Sequence, residues 1–191
     1  MKIVFATNNK NKIKEVQALI PQHITLLSLE DIGCLEEVPE TQPTIEGNAL
    51  QKAQYIKDHY NYDCFADDTG LEVTALNGEP GVFSARYAGE QRNSDDNMNK
   101  VLSKLEVHSN RNAQFKTVIA LQLNGTVKTF TGICEGEITT TKQGDKGFGY
   151  DPIFKPQGYS KTFAELDLDI KNKIGHRGKA VSALIDYLSS L

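Results

Sequence analysis

Apolar and polar positions recur along this chain with two different periods, and the places where the period changes lay out its elements. Ile3-Val4-Phe5-Ala6 is a short unbroken apolar run, the pattern of a buried strand. Residues 8–11 are a polar turn, and over residues 12–20 Ile13, Val16, Leu19 and Ile20 return at helical spacing. The chain therefore opens as strand, turn, helix, with a second strand predicted over residues 24–29. Residues 31–43 carry Gly33, Pro39, Pro43 and several acids and read as loop. Thr44 is placed to cap a helix running through Ala49, Leu50, Ala53 and Ile56 to about Tyr60. Residues 64–66 read as a short strand that ends at Asp67-Asp68, where Thr69-Gly70 begins a turn. Leu71, Val73 and Ala75 then alternate with polar residues as another strand.

Residues 77–81 form a turn, and Ser94 is placed to cap a helix through Met98, Val101, Leu102 and Leu105. Residues 115–123 and 127–133 alternate around Asn124-Gly125, a strong short-range hairpin signal. Residues 132–150 are rich in glycine and threonine and suggest a strand ending in loops. The last helix spans residues 178–191, apolar at Val181, Leu184, Ile185 and Leu188. Helices and strands interleave early and a hairpin follows, so the fold class is α/β with a sheet of mixed direction and room for a strand-rich extension.

The length, 191 residues, suits a single domain over 1–191 with room for a small second lobe. Such a chain buries roughly 70% of the surface its unfolded form exposes. Its net charge of -4 argues against a broad nucleic-acid footprint, which needs a basic face. Cys34, Cys64 and Cys134 are odd in number and far apart, with no C-x-x-C pair, so they read as free thiols rather than zinc ligands. Free thiols fit a reducing compartment. The N-terminal apolar run is too short for a signal peptide, and no stretch approaches the roughly 20 apolar residues of a membrane span. The chain reads as cytoplasmic, with no membrane partner.

Four segments carry candidate chemistry. In Thr7-Asn8-Asn9-Lys10-Asn11-Lys12 a polar turn opens a helix, where backbone amides and the helix dipole favour anions. It lacks the glycines of a Walker A loop, and it reads either as a phosphate cradle or as an ordinary turn with an Asn cap. Asp67-Asp68, with Glu40 as a partner, can hold a hard cation such as Mg²⁺, and one carboxylate of the pair can take a proton from attacking water. The alternative is a capped turn with solvated aspartates. In Lys146-Gly147-Phe148-Gly149-Tyr150-Asp151-Pro152 two glycines clear space around Phe148, which can stack on a nucleobase while Asp151 accepts from a base edge; it can equally plug the core. The basic run from Lys171 through His176 and Arg177 to Lys179 precedes the last helix, where the dipole disfavours cations unless an anion is present. It reads as a ligand contact or as a solvated basic loop. His23, His59 and His108 have no such neighbours and read as surface residues.

Together these segments closely resemble the Ham1-like inosine triphosphate pyrophosphatases over nearly the whole chain and in the same order. Thr7, Asn9 and Lys12 match T-x-N-x-x-K, and Glu40-Thr41, Thr44 and Asn48-Ala49 match E-T-x-x-T-x-x-x-N-A. Residues 66–71 match A-D-D-[ST]-G-L, and residues 80–89 match P-G-x-x-S-A-R-[YF]-[AS]-G. Residues 147–154 match G-F-G-Y-D-P-x-F, residues 162–166 match T-[FM]-A-E-L, and His176-Arg177 ends S-H-R. The chain departs from the pattern at Gly175, in place of the usual serine of S-H-R, and at Gly47, where a glutamate is common.

The resemblance implies a two-lobed α/β fold with a long mixed central sheet flanked by helices, a cleft between the lobes, a homodimer and dependence on Mg²⁺. It implies hydrolysis of ITP, dITP and XTP to the monophosphate and pyrophosphate, a house-cleaning role in the nucleotide pool. On this pattern Thr7, Asn8, Asn9, Lys10, Asn11 and Lys12 hold the triphosphate, and Lys12 offsets charge at the phosphoryl oxygens. Glu40 and Asp68 hold the metal. Asp68 is the candidate base for the water that attacks the α-phosphorus, and Asp67 supports it. Thr69 touches phosphate or sugar, and Phe148 stacks on the base. Gly149, Tyr150, Asp151, Lys171, His176 and Arg177 close around it. Donors aimed at a 6-oxo group leave a 6-amino group badly paired, at about 1–3 kcal/mol for each contact. The alternatives are a related pyrophosphatase for other modified nucleotides, pyrimidines included, and a nucleotide-binding module without catalysis. The latter would have lost Asp68, Lys12 or Glu40, and all three are present.

Overall fold

The computed structural model describes residues 1–191. In chain order the elements are β1 (Lys2–Phe5), α1 (Lys10–Gln17), β2 (Thr25–Leu27), α2 (Ile45–Tyr60), β3 (Cys64–Val73), α3 (Ser94–Lys104), β4 (Asn112–Leu123), β5 (Thr126–Ile138), β6 (Phe154–Pro156), α4 (Leu168–Ile174) and α5 (His176–Ser189), with short 3-10 turns between them. Six strands make one sheet in the order β2-β1-β3-β4-β5-β6. β1 runs parallel to both β2 and β3, and β5 is antiparallel to β6, so the sheet is mixed as its interleaved helices and hairpin require. The tip of the hairpin is Asn124 at φ 49° and Gly125 at φ 77°, left-handed at both positions as a two-residue hairpin turn demands.

The chain divides into two compact units. The first comprises Met1–Asp68, Thr117–Gly132 and Arg177–Leu191. Its core joins Ile3 and Phe5 of β1, Phe65 of β3, and Ile119 and Leu121 of β4 to Val16 of α1 and to Ala180, Val181, Leu184 and Leu188 of α5. The Phe5 and Phe65 rings stack at 4.6 Å because the parallel register sets the two residues side by side. Side chains so completely buried contribute about 1.5–3 kcal/mol each. The second unit comprises Thr69–Lys116 and Ile133–His176. There Leu71 and Val73 of β3 and Phe115 of β4 pack with Met98, Val101 and Leu105 of α3 and with Phe154 and Phe163.

Several boundaries differ from the sequence reading. β3 does not stop at Asp67-Asp68; it is one strand of 10 residues, and Thr69-Gly70 lies within it. Buried neighbours on both faces overrode the local turn signal of a single glycine. α1 begins at Lys10, capped by Asn9, and ends at Gln17. The cap of α3 is Asn93, whose side-chain oxygen accepts from the amides of Asp95 and Asp96, and Ser94 is the first helical residue. β5 continues to Ile138 through Gly136, where a Cβ would meet the Lys155 carbonyl oxygen at 2.3 Å, so glycine is what admits β6 alongside. The basic run is not a loop before a helix starting at residue 178. Lys171 and Lys173 occupy the last turn of α4, where the dipole favours cations, and α5 starts at His176.

Candidate active site

In the first unit, β1 delivers the chain to Thr7 and α1 carries it away. The Asn9 side-chain oxygen accepts hydrogen bonds from the amides of Asn11 (3.0 Å) and Lys12 (3.2 Å), and the Thr7 hydroxyl oxygen accepts from the Asn9 amide at 3.2 Å. Asn8, Asn9, Lys10 and Asn11 are exposed, and the first turn of α1 holds no acid. This helix start, with Lys10 and Lys12 in its first turn, is suited to a polyanion.

Because successive strand residues face opposite ways, Asp67 and Asp68 of β3 meet different partners. Asp67 is buried between the Lys12 ammonium at 3.0 Å and the Arg177 Nε at 3.1 Å. The other end of that guanidinium pairs with buried Glu15 of α1. The result is an alternating chain of charge, Lys12–Asp67–Arg177–Glu15. Burial pushes the Asp67 carboxyl up, but the charges of Lys12, Arg177 and Lys52 outweigh it and hold the group well below the usual carboxylate range. Burial lowers the Lys12 ammonium against the pull of Asp67.

Asp68 turns instead toward α2. The Asn48 side-chain amide donates to its Oδ2 at 3.3 Å, and the Lys52 Nζ stands 3.7 Å from its Oδ1. The same ammonium donates to the Glu40 carboxylate and, at 2.7 Å, to the Asp67 backbone carbonyl. Asn48 and Lys52 are four residues apart and so share one face of α2, whose start is fixed by the Thr44 hydroxyl accepting from the Gly47 amide at 2.9 Å. The Asn48 oxygen accepts from the Gln42 amide at 2.8 Å, which orients its NH₂ toward Asp68. Burial raises the pKa of Asp68, with Lys52 and Lys12 opposing and the charges of Glu40 and Asp67 adding to the rise. Asp67 is thus held ionised, and burial makes Asp68 the more basic of the two carboxylates.

The donor set here fits a hard cation in one way. No group of three or more His, Cys, Asp or Glu side chains is gathered to hold a metal by itself. Two carboxylates, Glu40 and Asp68, do approach a common point, marked by the Lys52 ammonium. One or two carboxylates completed by substrate phosphates and waters is how Mg²⁺ is usually held.

In the second unit, Gly147 at φ 73° and Gly149 at φ 62° bend the backbone around Phe148. Buried Asp151 accepts from the Phe148 amide at 2.8 Å and from the Lys171 ammonium at 2.6 Å, and that ammonium lies 4.8 Å over the Phe148 ring. A Cβ at Gly147 would fall 2.0 Å from the Asp151 carboxylate, so this turn exists only with glycine. The buried His176 ring stacks on Phe115, centroids 4.5 Å apart and planes at 20°. Half-buried Thr69 also belongs to this unit.

The residues expected from sequence therefore fall into two groups. Thr7 to Lys12, Glu40, Asp68 and Arg177 lie in the first unit; Thr69, Phe148, Gly149, Tyr150, Asp151, Lys171 and His176 lie in the second. Two placements depart from the expected surroundings of a base. Arg177 bridges Glu15 and Asp67, and Tyr150 is buried with its hydroxyl donating to the Ser84 carbonyl at 2.6 Å, which anchors the loop to the core. Three participants escaped the sequence reading: Glu15, Lys52 and the role of Asn48. The available signal was a lysine on the Ala49–Ala53–Ile56 face of α2, since an unpaired lysine is almost never buried. Both glycines that depart from the motifs are closely packed: a Cβ would lie 2.8 Å from Gln42 Cβ at Gly47 and 2.5 Å from the Lys171 carbonyl oxygen at Gly175.

The Ham1 family profile matches residues 3–187. A dITP/XTP pyrophosphatase of Flavobacterium johnsoniae is 68% identical over 190 residues, covering 100% of this chain and 99% of that protein. Among solved structures, a HAM1 protein from Coxiella burnetii superposes with a TM-score of 0.92 at 38% identity, covering 100% of both chains. The Ham1 protein of Staphylococcus aureus does so with a TM-score of 0.91 at 40% identity, covering 100% of this chain and 99% of that one.

Proposed function

Because this chain belongs to the Ham1 family, we propose that it hydrolyses deaminated purine nucleoside triphosphates, namely ITP, dITP and XTP, to the monophosphate and pyrophosphate. The observation that carries the reading is the split in the Asp67-Asp68 pair: one member held ionised by Lys12 and Arg177, the other raised by burial beside Lys52 and Glu40.

The exposed start of α1 binds the triphosphate through Thr7, Asn8, Asn9, Lys10 and Asn11, and Lys12 offsets charge that builds on the phosphoryl oxygens. Asp68 orients the attacking water and accepts its proton. Asn48 fixes the Asp68 carboxylate, and Asp67 fixes Lys12. Glu40 and Asp68 would hold Mg²⁺, which when bound supplies Lewis-acid stabilisation of phosphate charge. In the second unit Phe148 stacks on the base, and Asp151, with Lys171 donating to it, sets the pattern of donors and acceptors that the base meets. Thr69, Gly149 and His176 complete the contacts of the nucleoside, whereas Arg177 acts on the phosphate end, through the Asp67 carboxylate it holds ionised. The same reading includes a homodimer and a cytoplasmic setting; the three buried free thiols fit a reducing compartment, and no helix is long and apolar enough to cross a membrane.

The test is a product assay over ITP, dITP, XTP, GTP and ATP with and without Mg²⁺. The expected products are pyrophosphate and monophosphate. kcat/KM for ITP should exceed that for ATP by about a hundredfold, the sum of roughly two mispaired contacts, and turnover should vanish on removing Mg²⁺. Release of orthophosphate alone would overturn the reading.

A further inference from the structure

Lys52 has no place in the motifs that carry the resemblance, yet its ammonium occupies the point on which the two proposed metal ligands converge. It donates to Glu40, stands 3.7 Å from Asp68, and is tethered by the Asp67 backbone carbonyl at 2.7 Å. Its side chain is 6% exposed and rises from the interior of α2, so it has little room to swing aside. A Mg²⁺ ion bound by this pair alone would bring its charge against a fixed ammonium and would find no third carboxylate gathered to bind it, since Asp67 is taken up by Lys12 and Arg177. A triphosphate changes that balance, because its own oxygens complete the coordination and its negative charge offsets both cations.

We propose that Lys52 is a positioning residue that closes the Glu40–Asp68 pair to a bare divalent cation, so that the metal is taken up only together with a triphosphate. The inference rests on the assignment of Glu40 and Asp68 as metal ligands. Its consequence is an order of events. Free metal in the cell does not load the empty protein, and the carboxylates stay paired, ordered and protected from inhibitory cations until substrate arrives.

Mn²⁺, followed by the loss of its free-ion electron spin resonance signal, is the probe. Without nucleotide, Lys52→Met should bind Mn²⁺ at least about tenfold more tightly than the wild type, and Lys52→Arg, which keeps the charge, should stay close to the wild-type affinity. Equal Mn²⁺ affinity of the wild type and Lys52→Met overturns the proposal. If Lys52→Met does not fold, Glu40→Gln decides. It should leave the weak binding of Mn²⁺ alone unchanged and should weaken Mn²⁺ retention only when the α,β-imido analogue of ITP is added. Loss of binding of Mn²⁺ alone in Glu40→Gln would show the pair open in the empty protein and overturn the proposal. The nucleotide-free titrations judge Lys52 separately from the reaction, so failure to turn over ITP would fall on the assignment of activity and not on this one.

Discussion

Asp67 lies 3.0 Å from the Lys12 ammonium and 3.1 Å from the Arg177 Nε, all three buried or nearly so, and each charge depends on the others. Replacing Asp67 by Asn leaves two cations facing a neutral amide. The expected loss is about 3–5 kcal/mol in urea unfolding at neutral pH, the usual penalty for breaking a buried pair from one side. Asp68→Asn should do the reverse. Burial already disfavours that carboxylate, and Lys52 keeps Glu40 and the Asp67 carbonyl, so stability should hold or rise while ITP turnover falls by about a hundredfold or more. Near wild-type turnover in Asp68→Asn would remove it as the base. The pH dependence has a definite sign. Asp67 is depressed below the usual carboxylate range, so its contribution is fully present above that range and is lost as pH falls toward the folded value. Asp67→Asn should flatten this acid limb of the stability curve. Asp68 is raised, so it costs stability as pH rises through its folded value.

Among the elements, given the proposed phosphate site, α1 does two jobs with one residue. Asn9 caps the helix through the amides of Asn11 and Lys12 and stands exposed where a triphosphate would bind. Asn9→Ala should cost about 1 kcal/mol of stability and raise KM for ITP. Asn9→Asp keeps a capping oxygen, so it should restore the stability but not the KM, because it brings negative charge to the phosphate end. A variant that restores both would reduce Asn9 to a cap. The helices with clear periodicity, α2 and α5, were legible in the sequence, as was the hairpin at Asn124-Gly125, because their signals lie within a few residues. The continuity of β3 was not. The charges that allow Asp67 to sit mid-strand come from Lys12, 55 residues away, and Arg177, 110 residues away. β6 and α4 were missed because 3 and 7 residues are too few to show a period. Lys12, Glu40 and Asp68 were legible as motif residues. Lys52 and Glu15 were not, since a single charged residue on a helix resembles a solvated one until tertiary packing covers it.

For the molecule as a whole, both units are assembled from separated stretches of chain: the first from three segments and the second from two. The last segment, Arg177–Leu191, gives the first unit Arg177 and the core residues Ala180, Val181, Leu184 and Leu188. A chain ending at residue 176 should therefore fail to fold the first unit. Circular dichroism should show lost helix content and no cooperative melt, and a sharp melt near the wild-type temperature would contradict this. The sheet brings a further consequence through β3. The separate duties of Asp67 and Asp68 rest on parity along that strand, since each residue faces the side its count dictates. A single codon inserted just upstream of Asp67 would leave the inserted residue between Lys12 and Arg177, move Asp67 to the Lys52 side, and carry Asp68 one residue beyond it. Descent of this sequence can therefore exchange side chains in β3 where packing allows, but an insertion or deletion upstream of the pair removes both carboxylates from their partners at once.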